Sequence, residues 1–220
     1  MNHTGPSVLI MAKAPRPGTV KTRLTPLLGP AGCARLQAAL LAHAATLAHE
    51  AAPGSTYLAF DPPDAVGEIR GLVSAEVRSF PQVAGHLGVR LAAATETVLA
   101  RGPGPLLVIG TDAPTLTPAI LNRAVTALRG HDVVFGPALD GGYYLVGLRR
   151  PCLEVFGIDS TLWSGPRVLA ASRAAAERAG LTVGLLPALR DLDTPADATA
   201  LRTDPHLPPA LAALLSPAAV

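Results

Sequence analysis

Lysine is nearly missing from this 220-residue chain: there are two, Lys13 and Lys21, and every other Lys/Arg position is an arginine. Aromatic residues are also few, at 4% of the sequence, which removes the stacking platforms that bind single-stranded nucleic acids. A formal net charge of +2 is too small to attract a nucleic-acid backbone, so no nucleic-acid partner is expected. The two cysteines, Cys33 and Cys152, are far apart; they form neither a disulfide framework nor metal-ligand spacing, and read as buried free thiols. The six histidines are scattered at spacings that suit no metal site. Hydrophobic residues make up 49% of the chain, yet no uninterrupted apolar stretch approaches the roughly 20 residues of a membrane helix. Met1 to Ser7 is polar and the Val8 to Ala12 run is short, so no secretory leader is visible and a soluble, cytoplasmic protein without membrane contact is expected.

Against that background both lysines fall in one Gly/Pro-rich loop, together with Arg16, Gly18 and Arg23, directly after the apolar run Val8 to Ala12. Lysine is a point charge on a mobile stem and arginine a bidentate fork, and together they can clamp several oxygens of one polyphosphate. A glycine in such a loop permits close backbone approach. The plainer alternative is a solvated cationic loop.

Along the chain strands alternate with helices, without repeats or long linkers. Val8 to Ala12 and Pro105 to Gly110 read as buried strands, and Thr56 to Phe60 and Glu76 to Phe80 as strands. The intervening helices span about Ala31 to Ala51, with Gly29 and Pro30 marking the start, then Asp64 to Leu72 and Leu87 to Ala100. Thr117-Pro118 supplies a cap and a first-turn proline for a helix to about Arg129. Asp132 to Gly136 and Tyr143 to Leu148 form a strand pair around Asp140-Gly141-Gly142, followed by a helix from Gly165 to Ala179 and a strand from Thr182 to Leu186. Thr194 and Asp197 stand in capping-box positions for a last short helix. The pattern predicts one α/β domain over residues 1–204 with a mostly parallel, mixed sheet covered on both faces, the hairpin adding a mixed edge. Residues 205–220 read as a Pro/Ala/Leu-rich tail, surface-packed or poorly ordered.

Ligands in such sheets bind outside the carboxyl ends of the strands. There the cationic loop meets Asp112, which follows the Leu106 to Gly110 strand, and a phosphate-bearing ligand with a divalent ion is the natural reading. Asp191 and Asp193 lie two apart and face one side if extended. Asp193 serves either as a ligand or as complement to the dipole of the helix after it. Asp140 either contacts the acceptor or sugar, with the base as one role open to it, where Gly141 and Gly142 leave space, or fixes its own turn. Trp163 is either a wall of the acceptor pocket or core.

Four stretches, in order, carry a resemblance: Lys13 to Leu24, Ile109 to Leu116, Asp140 to Leu148 and Asp191 to Pro195. Together they resemble the bacterial glycosyltransferase-like DUF2064 family, over about Val8 to Leu201. Its members are often described as transferases associated with arsenosugar biosynthesis or with radical-SAM proteins. The resemblance implies a single-domain GT-A-type (nucleotide-diphospho-sugar transferase) fold, a Rossmann-like three-layer sandwich shared with nucleotidyltransferases. It implies Mg²⁺ or Mn²⁺ on Asp112 and Asp193, and nucleotide or phosphate contacts from Lys13, Arg16, Gly18, Lys21, Arg23, Gln82 and Arg90. Pro114 stands where a glycosyltransferase D-x-D would place a second acid, so the metal site is of the single-aspartate kind, closer to the nucleotidyltransferases.

Two reactions follow from the resemblance. One is glycosyl transfer from a nucleotide sugar to a small-molecule acceptor, with Asp112, Asp140 and Lys21 as the catalytic set. The other is nucleotidyl transfer from a nucleoside triphosphate to a phosphorylated acceptor, with Lys21 or Arg23 on the β- and γ-phosphates and pyrophosphate released, similar to the 2-phospholactate guanylyltransferases. The base, the sugar, the acceptor and the oligomeric state are left open.

Overall fold

A computed structural model describes residues 5–102 and 104–215. In chain order its elements are β1 (Ser7–Lys13), α1 (Thr25–Ala51), β2 (Thr56–Asp61), α2 (Val66–Arg70), β3 (Arg78–Pro81), α3 (Leu87–Leu99), β4 (Leu106–Ile109) and α4 (Pro118–Ala127). Then follow β5 (Val133–Pro137), β6 (Tyr143–Leu148), α5 (Val168–Arg178), β7 (Val183–Leu185), α6 (Pro195–Leu201) and α7 (Pro209–Leu214). The strands form one seven-stranded sheet in the order β3-β2-β1-β4-β6-β5-β7. All neighbours are parallel except β6, which runs antiparallel to both β4 and β5. The reversed strand is therefore interior, and the mixed edge expected from the sequence is corrected: β7 takes the edge by pairing parallel with β5.

Strand alternation sends successive side chains to opposite faces. On one face Val8 and Ile10 of β1 join Leu107 and Ile109 of β4 under Leu41, Ala44 and Ala48 of α1 and Leu121 and Ala124 of α4. On the other, Leu9, Leu106 and Val108 pack beneath Leu91 and Val98 of α3 and Ala175 and Ala176 of α5. Each fully buried leucine of this kind contributes about 2 kcal/mol of transfer free energy, which is why a chain so poor in aromatics still closes three layers. This is the α/β three-layer sandwich with a mostly parallel mixed sheet.

A third apolar cluster lies off the sheet, where Leu24, Leu36, Leu40, Leu192 and Leu201 meet Leu207, Leu211 and Leu215. The segment after Asp204 thus contributes core up to Leu215, through α7 packed on α1; residues 216–220 of the expected tail lie outside the described residues. Helix α1 begins at Thr25, earlier than the Gly29-Pro30 signal suggests, and kinks at Gly29, whose φ of 65° lies in the left-handed region. The Thr117 cap and the Thr194–Asp197 capping box both form. No helix among the described residues is long and apolar enough to cross a membrane.

Candidate functional site

Between β1 and β4 the strand order reverses, since the chain runs outward through β2 and β3 and returns on the other side of β1. This is the position at which an open sheet leaves a crevice at its carboxyl edge. Lys13 ends β1 there, and Asp112 stands three residues beyond the end of β4. Because β6 is reversed, its first residues reach the same edge, with Gly110 N–H donating to the Tyr144 carbonyl at 3.2 Å. The turn before β6 and the segment after β7 are brought to the same edge, and a cleft of about 540 Å³ opens between them.

At its charged end stands a single constellation. The Lys21 ammonium lies 2.6 Å from Asp112 Oδ1, and donates to Asp193 Oδ1 at 3.0 Å and to the Leu192 carbonyl at 2.8 Å. All three line the cleft, but the Lys21 side chain is only 5% exposed, whereas Asp112 and Asp193 are 46% and 37% exposed, so the acids present far more surface than the ammonium they hold. Burial disfavours the Lys21 charge, but Asp112 and Asp193 outweigh it and hold the group above the ordinary lysine range. Two buried leucines of one cluster fix this geometry: Leu24 anchors the turn that follows Lys21, and Leu192 anchors the strand-like segment between the acids. With Leu192 turned inward, Asp191 and Asp193 on either side of it both line the cleft. One Asp191 carboxyl oxygen is buried without a partner, and burial, followed by the charges of Asp112, Asp140 and Asp193, pushes that acid up to about 7.

The backbone at Lys21 has φ 48°, and Ser164 has φ 70°. Among the described residues these are the only non-glycine positions with positive φ, and both line the cleft. Behind the site, Gln37 of α1 donates to the Lys13 carbonyl and to Thr111 Oγ1, each at 3.3 Å, tying the end of β1 to the end of β4. Sequence reasoning passed over Gln37, Thr111 and Ser164; an amide within an Ala/Leu-rich helix was the one available signal.

The other candidates divide. Lys13 and Arg23 are exposed, line the cleft, and have no carboxylate partner among the described residues. Arg16 and Gly18 are not part of the cleft lining: the Arg16 guanidinium turns to Glu68 at 2.7 Å and Asp64 at 3.1 Å, and hydrogen bonding to these acids raises it further above its ordinary value. Gln82 and Arg90 line the cleft, but Gln82 donates to the Ala59 and Ala12 carbonyls and Arg90 reaches Asp61 at 3.1 Å, so both also hold strand ends together.

Asp140 both lines the cleft and fixes its own turn, accepting from Gly142 N–H at 2.9 Å. Gly142 lines the cleft; Gly141 does not, because its α-carbon is packed against the Pro166 backbone, where a Cβ has no room. Trp163 is buried in the core under α3 and α5 and also lines the cleft. Gly88 lets it sit there, since a Cβ at that position would stand 2.6 Å from the indole nitrogen. Among the described residues no group of three His, Cys, Asp or Glu side chains is placed to hold a metal ion.

Residues 44–164 match the model of a family described as an uncharacterized protein conserved in bacteria (DUF2064). The chain belongs to the DUF2064 family. Among solved structures it is similar to a Desulfovibrio desulfuricans G20 protein provisionally described as a nucleotide-diphospho-sugar transferase. The two share 27% identity and a TM-score of 0.82, over 98% of this chain and 97% of that one. At fold level it is similar to CMP:2-keto-3-deoxy-manno-octonic acid synthetase, solved with CTP, with 14% identity and a TM-score of 0.57 over 90% and 96% of the chains. A further fold relative is Rv0371c of Mycobacterium tuberculosis H37Rv in complex with manganese, with 18% identity and a TM-score of 0.53 over 90% and 98%. No curated protein matches the chain. The DUF2064 chain thus has the fold of nucleotide-diphospho-sugar transferases and cytidylyltransferases.

Proposed function

We propose that this protein is a transferase that binds a nucleotide-activated substrate in the switch-point cleft and moves a sugar from a nucleotide-sugar donor to a small-molecule acceptor. The observation that carries the reading is the acid pair Asp112 and Asp193 in a cleft whose cations without a carboxylate partner among the described residues include Lys13 and Arg23. Two carboxylates fit Mg²⁺ or Mn²⁺, which take oxygen ligands and complete their shells with phosphate and water. The buried, unpartnered Asp191 oxygen beside them is the kind of orphan that a cation site leaves. A divalent ion held by Asp112 and Asp193 would neutralise charge on the departing nucleoside diphosphate.

The chain's own groups supply the rest. Lys13 and Arg23 hold the diphosphate from the loop side, as a point charge and a fork respectively. Asp140 has one oxygen engaged in its turn, and its other oxygen is the candidate to take the proton of the acceptor hydroxyl as the hydroxyl oxygen bonds to the anomeric carbon and the bond from that carbon to the diphosphate breaks. Trp163 walls the acceptor side.

A second reading, nucleotidyl transfer, is favoured by one feature: Pro114 removes the D-x-D acid, so the pair is built from Asp112 and the remote Asp193. The test is calorimetry and thermal shift with Mn²⁺, comparing nucleoside triphosphates with diphosphates and their sugars, with Asp112→Asn as control. Preference for one nucleotide sugar, with release of a nucleoside diphosphate, supports glycosyl transfer. Preference for a triphosphate, with pyrophosphate release, moves the reaction to nucleotidyl transfer. Metal-dependent affinity unchanged in Asp112→Asn overturns the site assignment.

A further inference from the structure

We infer that Lys21 is a built-in counter-ion that competes with the divalent cation for Asp112 and Asp193, so that the ligand this cleft accepts is a preformed metal–nucleotide chelate rather than free metal followed by nucleotide. The inference rests on the reading that these two acids hold the cation. Its basis is the location of the Lys21 charge. A nearly buried ammonium lies against one oxygen of each acid and also donates to the Leu192 carbonyl, so it is held by the acid pair and the backbone beside it. A lysine whose work is to meet phosphate would keep its ammonium free toward the ligand, as Lys13 does.

The electrostatic consequence has a definite sign. Two carboxylates sharing one buried cation present a net single negative charge to an arriving ion, and a like charge already stands on the oxygens that the ion needs. Free Mg²⁺ or Mn²⁺ is therefore bound weakly. A chelate arrives with its ion already partly neutralised by phosphate oxygens, and with anionic groups for Lys13 and Arg23, so the same acid pair suffices for it. Metal and nucleotide then strengthen one another, and linkage requires the coupling to be equal in both directions.

The experiment is titration of each purified protein with MnCl₂ alone, followed by calorimetry, alongside melting temperatures with and without Mn²⁺. Removing the ammonium charge in Lys21→Met tightens free Mn²⁺ by about tenfold or more, within the roughly 5–150-fold range of site coupling. Mn²⁺ also raises the melting temperature of this variant more than that of the native protein, because it replaces a lost counter-ion. Lys21→Gln, which keeps a hydrogen-bond donor between the acids, gives the same tightening and covers the case in which Lys21→Met does not fold. Lys21→Arg keeps the charge and the weak affinity. Unchanged or weaker Mn²⁺ binding in the folded neutral variants, with Asp112→Asn still abolishing it, overturns the counter-ion role and leaves the acid pair as the metal site. Mn²⁺ binding that is indifferent to Asp112→Asn overturns the underlying reading as well.

Discussion

The backbone N–H of Leu192 donates to the carbonyl of Asp112 at 2.7 Å, a bond that sets two segments far apart in sequence side by side at the edge of the sheet. It brings Asp193 into register with Asp112 before any side chain acts, and the capping box that follows keeps it there. In that box Thr194 N–H donates to Asp197 at 3.0 Å and Asp197 N–H donates to Thr194 Oγ1 at 3.2 Å. Thr194→Ala removes the cap and costs about 1 kcal/mol of stability by urea unfolding. It also loosens the residue next to the acid pair, so calorimetry shows weaker metal-dependent nucleotide binding although Thr194 carries no charge.

The two arginines of the cationic loop separate in their effects. Arg23 is exposed on the cleft with no carboxylate partner among the described residues, whereas Arg16 is held by Asp64 and Glu68. Arg23→Ala lowers nucleotide affinity by about tenfold or more, the scale of one charge-assisted hydrogen bond. Arg16→Ala leaves that affinity within about twofold and changes stability little, as the loss of an exposed ion pair does. Equal losses of affinity in the two variants would contradict this division of the loop.

That division marks the limit of what was legible in the sequence. Strand alternation was enough to place Lys13 and Asp112 at one edge, and a two-residue period was enough to turn Asp191 and Asp193 the same way. The destinations of Arg16 and Lys21 depend on partners about 50 to 170 residues distant, which no local periodicity encodes. The interior position of β6 was hidden for the same reason: a hairpin signal identifies β5 as one partner but says nothing of β4 on its other side. At Asp140 the turn reading is met, and the same residue also lines the cleft, because one carboxylate oxygen can fix a turn while the other is left for the cleft.

Gly141 tests the turn itself. Its φ of 93° and its contact with the Pro166 backbone exclude a side chain, since the obstructing atoms are main chain and do not swing aside. Gly141→Ala is expected to cost about 2–3 kcal/mol, from the left-handed backbone together with overpacking. Because the displaced turn carries Asp140, turnover falls further than the stability loss alone accounts for when both are measured at a temperature where the variant is folded.

Asp132 sets an acid limit on stability far from the cleft. Its carboxylate accepts from Thr182 N–H at 3.0 Å and Thr182 Oγ1 at 2.7 Å and pairs with Arg149, and these bonds hold it well below the usual carboxylate range. A depressed carboxylate contributes its stability above its unfolded value of about 3.9 and loses it as pH falls through the folded value. Asp132→Asn is therefore less stable than the native protein near pH 7, and the gap between them narrows below about pH 4. Urea unfolding across pH 3 to 7 reads this directly, and a gap that stays constant with pH contradicts it.

Trp163, the lone tryptophan, lines the cleft from beneath α3, with Gly88 leaving just enough space for its indole. A ligand that fills this end of the cleft changes the polarity at that ring and with it the intrinsic fluorescence. Titration with the nucleotide sugar or triphosphate selected by calorimetry, in the presence of Mn²⁺, is expected to give a saturable change in emission whose midpoint matches the calorimetric affinity. Asp112→Asn shifts that midpoint to higher concentration without altering the starting spectrum, because Asp112 lies at the charged end and does not support the indole. Gly88→Ala does the reverse: its Cβ displaces the ring, so the starting spectrum changes while the contacts of Lys13 and Arg23 remain intact. A signal that saturates without Mn²⁺, at the same midpoint in Asp112→Asn, would separate the aromatic wall from the acid pair and leave the cleft with two independent sites.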